Sequence, residues 1–206
     1  MNYIKSYREF LAEAIQLRPG KPYHGRKIAV FDLDDTLVIS KAKIKVYDPS
    51  TGESFELTPE EFNEYEKKSS HQLDFSEFKS LEIMKAGKLI QYYLKILQTA
   101  YRSRVAVGIV TARDDRQMIS RWLQEHLGIK IDPDLIFAVN DPYHGYKGSI
   151  ADRKVQAFRE IIAMGYRDIQ FYDDDPANIS LVKGLEKEYP DVEIMAVRAD
   201  KRYSIA

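Results

Sequence analysis

From residue 104 onward the sequence alternates between two kinds of segment, and this alternation constrains the fold more than any other feature. RVAVGIVT (104–111), DLIFAV (134–139), DIQFYD (168–173) and VEIMAV (192–197) are short apolar runs rich in β-branched residues. Between them lie stretches with apolar residues at helical spacing. Met118, Ile119, Trp122, Leu123 and Leu127 share one face, and a second helix is expected from Ala151 to Met164. A third, opened by Asp175 as N-cap and Pro176 as first helical residue, runs to Glu188. Strands separated by single helices are joined by parallel crossovers. With KIAVF (27–31) as a fifth strand, the pattern predicts an α/β fold: a three-layer sandwich around a mainly parallel, five-stranded sheet.

The first half of the chain is less regular. Ile4, Tyr7, Leu11, Ala14 and Ile15 recur at helical spacing, so residues 1–20 are expected to form an amphipathic helix, and RPGKPYHG (18–25) breaks it. KIKVYDPSTGESFEL (43–57) reads as a hairpin around DPSTG. LTPEEF starts a helix in which Thr58 and Glu61 form a capping box around Pro59. KKSSHQLD (67–74) reads as a loop, and IMKAGKLIQYYLKILQTAYRS (83–103) as one long helix. The chain is therefore expected to be a single domain, 1–206, with a flap and small lid inserted after the first strand, over 39–82.

Composition narrows the function classes. With 31 basic and 32 acidic residues the net charge is −1, which argues against broad electrostatic wrapping of nucleic acid or an anionic membrane. There is no cysteine, so thiolate metal sites, disulfides and a cysteine nucleophile are excluded. The N-terminus carries Lys5, Arg8, Glu9 and Glu13 among its apolar residues, unlike a signal peptide, and no apolar run approaches the roughly 18 residues of a membrane span. A cytoplasmic protein without a membrane partner is the expectation.

In an open α/β sheet ligands bind beyond the carboxyl ends of the strands. Three strands here end in polar clusters: Asp32-Leu-Asp34-Asp35-Thr36, Thr111-Ala-Arg113, and Asp173-Asp174-Asp175. One such cluster would be read as helix caps and turn formers. Three on neighbouring strand ends bring carboxylates together that repel at several kcal/mol in low dielectric, so a positive partner is required. A hard cation such as Mg²⁺, with oxygen ligands and an affinity for phosphates, answers that need.

These motifs carry a resemblance. FDLDDTL resembles the first motif of the haloacid dehalogenase superfamily, a strand ending in D-x-D-x-T; VTAR resembles its second motif and YDDDPAN its acidic fourth, in the expected order over 27–198. The resemblance implies a Rossmann-like fold and a Mg²⁺-dependent phosphomonoesterase with an aspartyl-phosphate intermediate. By it, Asp32 attacks phosphorus, Asp34 protonates the leaving oxygen and then activates water, and Thr111 holds a phosphoryl oxygen. Mg²⁺ would sit on Asp32, the Asp34 backbone carbonyl and Asp174, with Asp173 or Asn178 in support. Thr36 is a bracing residue, Asp35 points elsewhere, and Asp175 is a helix cap. Asp32 and Asp34 can converge only if the chain turns at the strand end, because alternate strand residues otherwise face opposite ways.

The superfamily also uses a lysine against the nucleophile and phosphate, and Lys147 and Lys154 both qualify. At about 100° per residue Lys154 falls within the arc of Val155, Phe158, Ile161 and Ile162, where an unpaired ammonium would be costly, so a carboxylate partner is expected there. Its spacing before Asp173 also resembles the phosphatase domains of polynucleotide kinase-phosphatases. Lys154 is the choice, with Lys147 as the alternative. Arg113 and the loop residues Tyr143, His144 and Lys147 are candidate substrate contacts; the loop could stack a base or be an ordinary surface turn. The expected substrate is a nucleotide or nucleic-acid-end phosphate, with a small phosphorylated metabolite as the alternative. A non-catalytic phosphate-binding module is the rival class, to which a general acid at Asp34 would be superfluous.

Overall fold

The computed structural model describes residues 26–204, so the helix expected over 1–20 lies outside the described residues. Strand β1 (Arg26–Phe31) delivers four consecutive fully buried residues, Ile28 to Phe31. A strand buried on successive residues is covered on both faces, as the centre of a parallel sheet is. After it the chain leaves the sheet for an insertion: β2 (Val38–Ile39), β3 (Ile44–Asp48), β4 (Glu53–Leu57), helix α1 (Pro59–Glu64), β5 (Gln72–Asp74), α2 (Leu81–Lys85) and β6 (Lys88–Leu89). Helix α3 (Gln91–Arg102) then leads into β7 (Ala106–Thr111), α4 (Arg116–Leu127), β8 (Ile136–Ala138), α5 (Ile150–Ala163), β9 (Tyr166–Asp173), α6 (Pro176–Gly184) and β10 (Glu193–Arg198).

The main sheet is all parallel, in the order β10-β9-β1-β7-β8, and is flanked by helices. The chain first builds outward from β1 through β7 to β8, then returns to the other side of β1 with β9. The strand order therefore reverses between β1 and β9. That reversal opens a crevice at the carboxyl ends of the two strands, where open α/β sheets bind ligands. The register brings Phe31 opposite Tyr172, whose rings stack at 4.8 Å, and so sets Asp32 beside Asp173.

The expected helices form with their caps. Asp115 caps α4, which Gly128 ends in the left-handed region, and Ser149 with Asp152 forms a capping box on α5. The helix after Asp175 is shorter than expected: α6 ends at Gly184 and a 3₁₀ turn, Leu185–Lys187, completes the segment. The strand expected over 134–139 is trimmed in the same way, since Pro133–Leu135 is a 3₁₀ turn. Among the described residues no helix is long and apolar enough to cross a membrane.

The insertion corrects two expectations. The hairpin β3–β4 forms, but KKSSHQLD is not all loop: Gln72–Asp74 pairs antiparallel with β3 and makes a three-stranded sheet. The helix expected over 83–103 is two helices. Between α2 and α3 the chain extends, and β6 pairs antiparallel with β2 to close the neck of the insertion. Gly87 permits this closure, because a Cβ there would lie 2.6 Å from Val38 Cγ2 and 2.9 Å from the Ile39 carbonyl oxygen.

Candidate active site

The turn after β1 is built on one carbonyl. Leu33 O accepts from the N–H groups of Thr36, Leu37 and Val38 at 3.3, 2.8 and 3.0 Å. Asp35 supplies the reversal with φ 56°, a left-handed conformation that aspartate tolerates better than most residues, and its N–H bonds to Val38 O at 2.9 Å. Leu33, Thr36 and Leu37 are fully buried and hold the turn in place, close enough for the Asp34 charge to act on Asp32.

Asp32 is buried, and its N–H bonds to Tyr172 O at 2.9 Å. Lys154 also is buried, with Nζ 2.7 Å from Asp173 Oδ2 and 3.1 Å from Asp32 Oδ1. The second contact is an ion pair, and Asp32 Oδ1 has no other donor. Asp173 is the internal brace. Its oxygens accept from Lys154, from the Asp175 N–H at 2.9 Å, and from Asn178 Nδ2 at 3.0 and 3.1 Å. Lys147, by contrast, is exposed on the loop after β8, and its backbone is tied to Gln156. Of the two lysines, the fold brings Lys154 to the aspartates.

The second cation lies on the other flank. Arg113 is buried and grips Asp34 with both edges of its fork, Nε to Oδ2 at 2.9 Å and Nη2 to Oδ1 at 2.8 Å. A candidate substrate contact by sequence, it bonds through its guanidinium to Asp34, to the Phe78 carbonyl and to Ser40 of the insertion. The sequence carried no signal for those two partners, which reach Arg113 only through the folded insertion. Thr111, at the end of β7, is buried and accepts from the Arg113 N–H at 3.4 Å. It does not cap α4, since Asp115 does that. Asp175 caps α6 as expected, accepting from the Ala177 N–H.

Asp32, Asp173 and Asp174 each offer a carboxylate oxygen, all within 4.8 Å of one another. These three carboxyl groups crowd one buried cation, Lys154, while Asp34 is paired with Arg113. Burial and crowding shift the pKa values of the cluster. Burial pushes the Asp32 carboxyl well above the usual carboxylate range; Lys154 opposes this, while Asp173, Asp174 and Asp34 add to it. Burial, then the charges of Asp173 and Asp35, lift Asp174 to about 6. For Lys154, desolvation would lower the pKa, but the charges of Asp32 and Asp173 outweigh it and the ammonium is held charged. Crowded carboxyl oxygens that resist ionising together suit a hard divalent cation. Asp32 and Asp174 are its natural ligands, since both Asp173 oxygens are already engaged.

The remaining candidates lie apart from this cluster. Tyr143 is 84% exposed on a 3₁₀ turn, Pro142–His144, and the His144 ring stacks on Tyr146 at 5.0 Å. Tyr143 lines a cavity of about 350 Å³ with Lys79, Asp114, Asp115, Arg116, Gln117 and Asp141, along the loops that follow β7 and β8. One cation was missed altogether: Lys201 pairs with Glu60 of α1 and lies 3.9 Å from Asp35. The chain matches no protein-family model and no curated protein.

Proposed function

We propose that this protein is a Mg²⁺-dependent phosphohydrolase of the haloacid dehalogenase type, cleaving phosphomonoesters through an aspartyl phosphate on Asp32. The observation that carries the reading is the Asp32 carboxylate itself. It is buried at the reversal of strand order, with one oxygen approached by Lys154 and by no other donor. A bound Mg²⁺, held by Asp32, Asp174 and the Asp34 backbone carbonyl, would offset negative charge on the phosphoryl oxygens. The chain's own groups do the rest. Asp32 forms the bond to phosphorus as the bond to the leaving oxygen breaks, and Asp34 gives that oxygen a proton. Asp34 then takes a proton from the water that cleaves the intermediate. Lys154 and Thr111 hold the phosphoryl group's negative oxygens. Asp173, itself held by Asn178 and the Asp175 N–H, keeps Lys154 in place.

A nucleotide or nucleic-acid-end phosphate is the preferred substrate, with the exposed Tyr143 ring as a stacking surface. A phosphorylated small metabolite is the second reading.

The test is hydrolysis of 4-nitrophenyl phosphate with Mg²⁺ and with chelator, by wild type and Asp32→Asn. Turnover that requires Mg²⁺ and falls by at least about 1,000-fold in the variant is expected. A wild type inert on this ester and on a broad panel of phosphomonoesters would return the protein to the class of phosphate-binding modules. Within such a panel, nucleoside monophosphates, 3′-phosphorylated oligonucleotides and sugar phosphates separate the two substrate readings.

A further inference from the structure

We propose that Arg113 is the positioning residue of Asp34, and that the insertion acts on the reaction through it; the inference rests on the phosphohydrolase reading above. The fork Nε/Nη2 fixes both oxygens of the Asp34 carboxylate, at 2.9 and 2.8 Å, and so sets the plane of the carboxyl group. A carboxylate oxygen has two lone-pair directions, so each oxygen keeps one for the proton that passes to the leaving group or comes from water. The Asp34 side chain is 30% exposed while that of Arg113 is 3% exposed, so the acid faces the opening and its holder stands behind it.

Arg113 is itself held from three sides. Its backbone N–H bonds to Thr111 Oγ1 at 3.4 Å, and its carbonyl accepts from the Asn140 N–H at 3.2 Å. Its Nη1 donates to the Phe78 carbonyl at 2.5 Å, its Nη2 reaches Ser40 Oγ at 3.4 Å, and its guanidinium lies 5.4 Å from the centre of the Phe78 ring. Four hydrogen bonds from a group with five N–H donors leave little for a substrate phosphate. The arrangement suits a holder better than a clamp on the ligand. Phe78 and Ser40 belong to the insertion, and Lys79 beside Phe78 pairs with Asp114 beside Arg113 at 2.9 Å. Movement of the insertion therefore loosens Arg113, and through it Asp34.

The consequence is specific to the leaving group. As the bond from Asp32 to phosphorus forms, the bond to the leaving oxygen breaks; an alkoxide needs the Asp34 proton, whereas 4-nitrophenolate departs without it. The value of kcat/KM covers the steps through that departure and is blind to later hydrolysis of the intermediate. Wild type, Arg113→Ala, Arg113→Lys and Phe78→Leu would be compared on 4-nitrophenyl phosphate and on 2-phenylethyl phosphate. Arg113→Ala is expected to lower kcat/KM on both, but on the alkyl ester by about 100-fold more. Arg113→Lys restores part of that difference, because a point charge cannot hold two oxygens in one plane. Phe78→Leu shifts the ratio several-fold in the same direction. In an Asp34→Asn background, Arg113→Ala should cost nothing further on the alkyl ester.

Parallel losses on the two esters, or an undiminished Arg113→Ala effect in the Asp34→Asn background, would overturn the inference and leave the phosphohydrolase reading standing. A wild type that cleaves neither ester overturns both. Should Arg113→Ala not fold, Arg113→Lys and Phe78→Leu must still separate the two esters, and equal effects there count against the inference.

Discussion

Removing the Lys154 ammonium isolates the two carboxylates it touches, Asp32 and Asp173, inside the fold. Breaking one partner out of such a buried group costs about 3–5 kcal/mol. Lys154→Met, which keeps the apolar stem, should show that loss in urea unfolding at pH 8. The loss should shrink toward pH 5, as the orphaned carboxylates take up protons in place of the cation. Asp174 makes the opposite prediction. It titrates at about 6 in the fold, held up by burial and by Asp173, against about 3.9 in an unfolded chain. The folded state therefore binds this proton more tightly, and the group adds stability as pH falls from about 6 toward 4, by at most about 3 kcal/mol. Metal-free Asp174→Asn should accordingly be more stable than wild type at pH 8, with the advantage down to about a third near pH 4.5 and gone near pH 3. The same variant should gain nothing from Mg²⁺, which separates a ligand from a merely unfavourable charge. The expectation of a carboxylate beside Lys154 was legible in its helical position, because an ammonium in an apolar arc cannot stand alone. The tie between Arg113 and Asp34 was not legible, because those residues are far apart in the chain and meet only across the sheet edge.

At the scale of elements, sequence periodicity located β1, β7, β9 and β10 and the helices α4, α5 and α6 with small errors at their ends. Parallel strands and amphipathic helices announce themselves because each buries a fixed pattern of side chains. The insertion was read less well. Gln72–Asp74 has no apolar alternation of its own and becomes a strand only because β3 offers an open edge. KAGKL sits inside a good helical pattern, yet Lys88–Leu89 pairs with Val38–Ile39 because closing the neck of the insertion outweighs continuing the helix. The glycine was the available signal. Gly87→Ala should test it: the added methyl meets Val38 Cγ2 and the Ile39 carbonyl, and the carbonyl cannot retreat without opening the β2–β6 pair. A loss of about 1–3 kcal/mol is expected in urea unfolding. Ala86→Ser, one position away on the same segment, should lose well under that.

For the whole molecule, the cluster joins β1 to β9 at the centre of the sheet, so a cation bound there should stabilise the entire domain. Mg²⁺ at about 100 times its Kd adds about 2.7 kcal/mol, or roughly 5–10 °C in Tm for a domain of this size. A melt with and without chelator measures it, and an unchanged Tm at high Mg²⁺ would count against the metal reading. By itself the sequence determined the α/β class, the strands that carry chemistry and the aspartates at their ends. Those follow from local periodicity and from the rule that polar clusters after parallel strands gather at one edge. The tertiary structure alone decided the strand order that sets Asp32 beside Asp173, which carboxylates Lys154 meets, and the bond between Arg113 and Asp34. The physical reason is common to all three. Each depends on which charges lie within a few ångströms across separate elements, and Coulombic pairing in a buried site is fixed by distance in space, of which spacing along the chain carries no record.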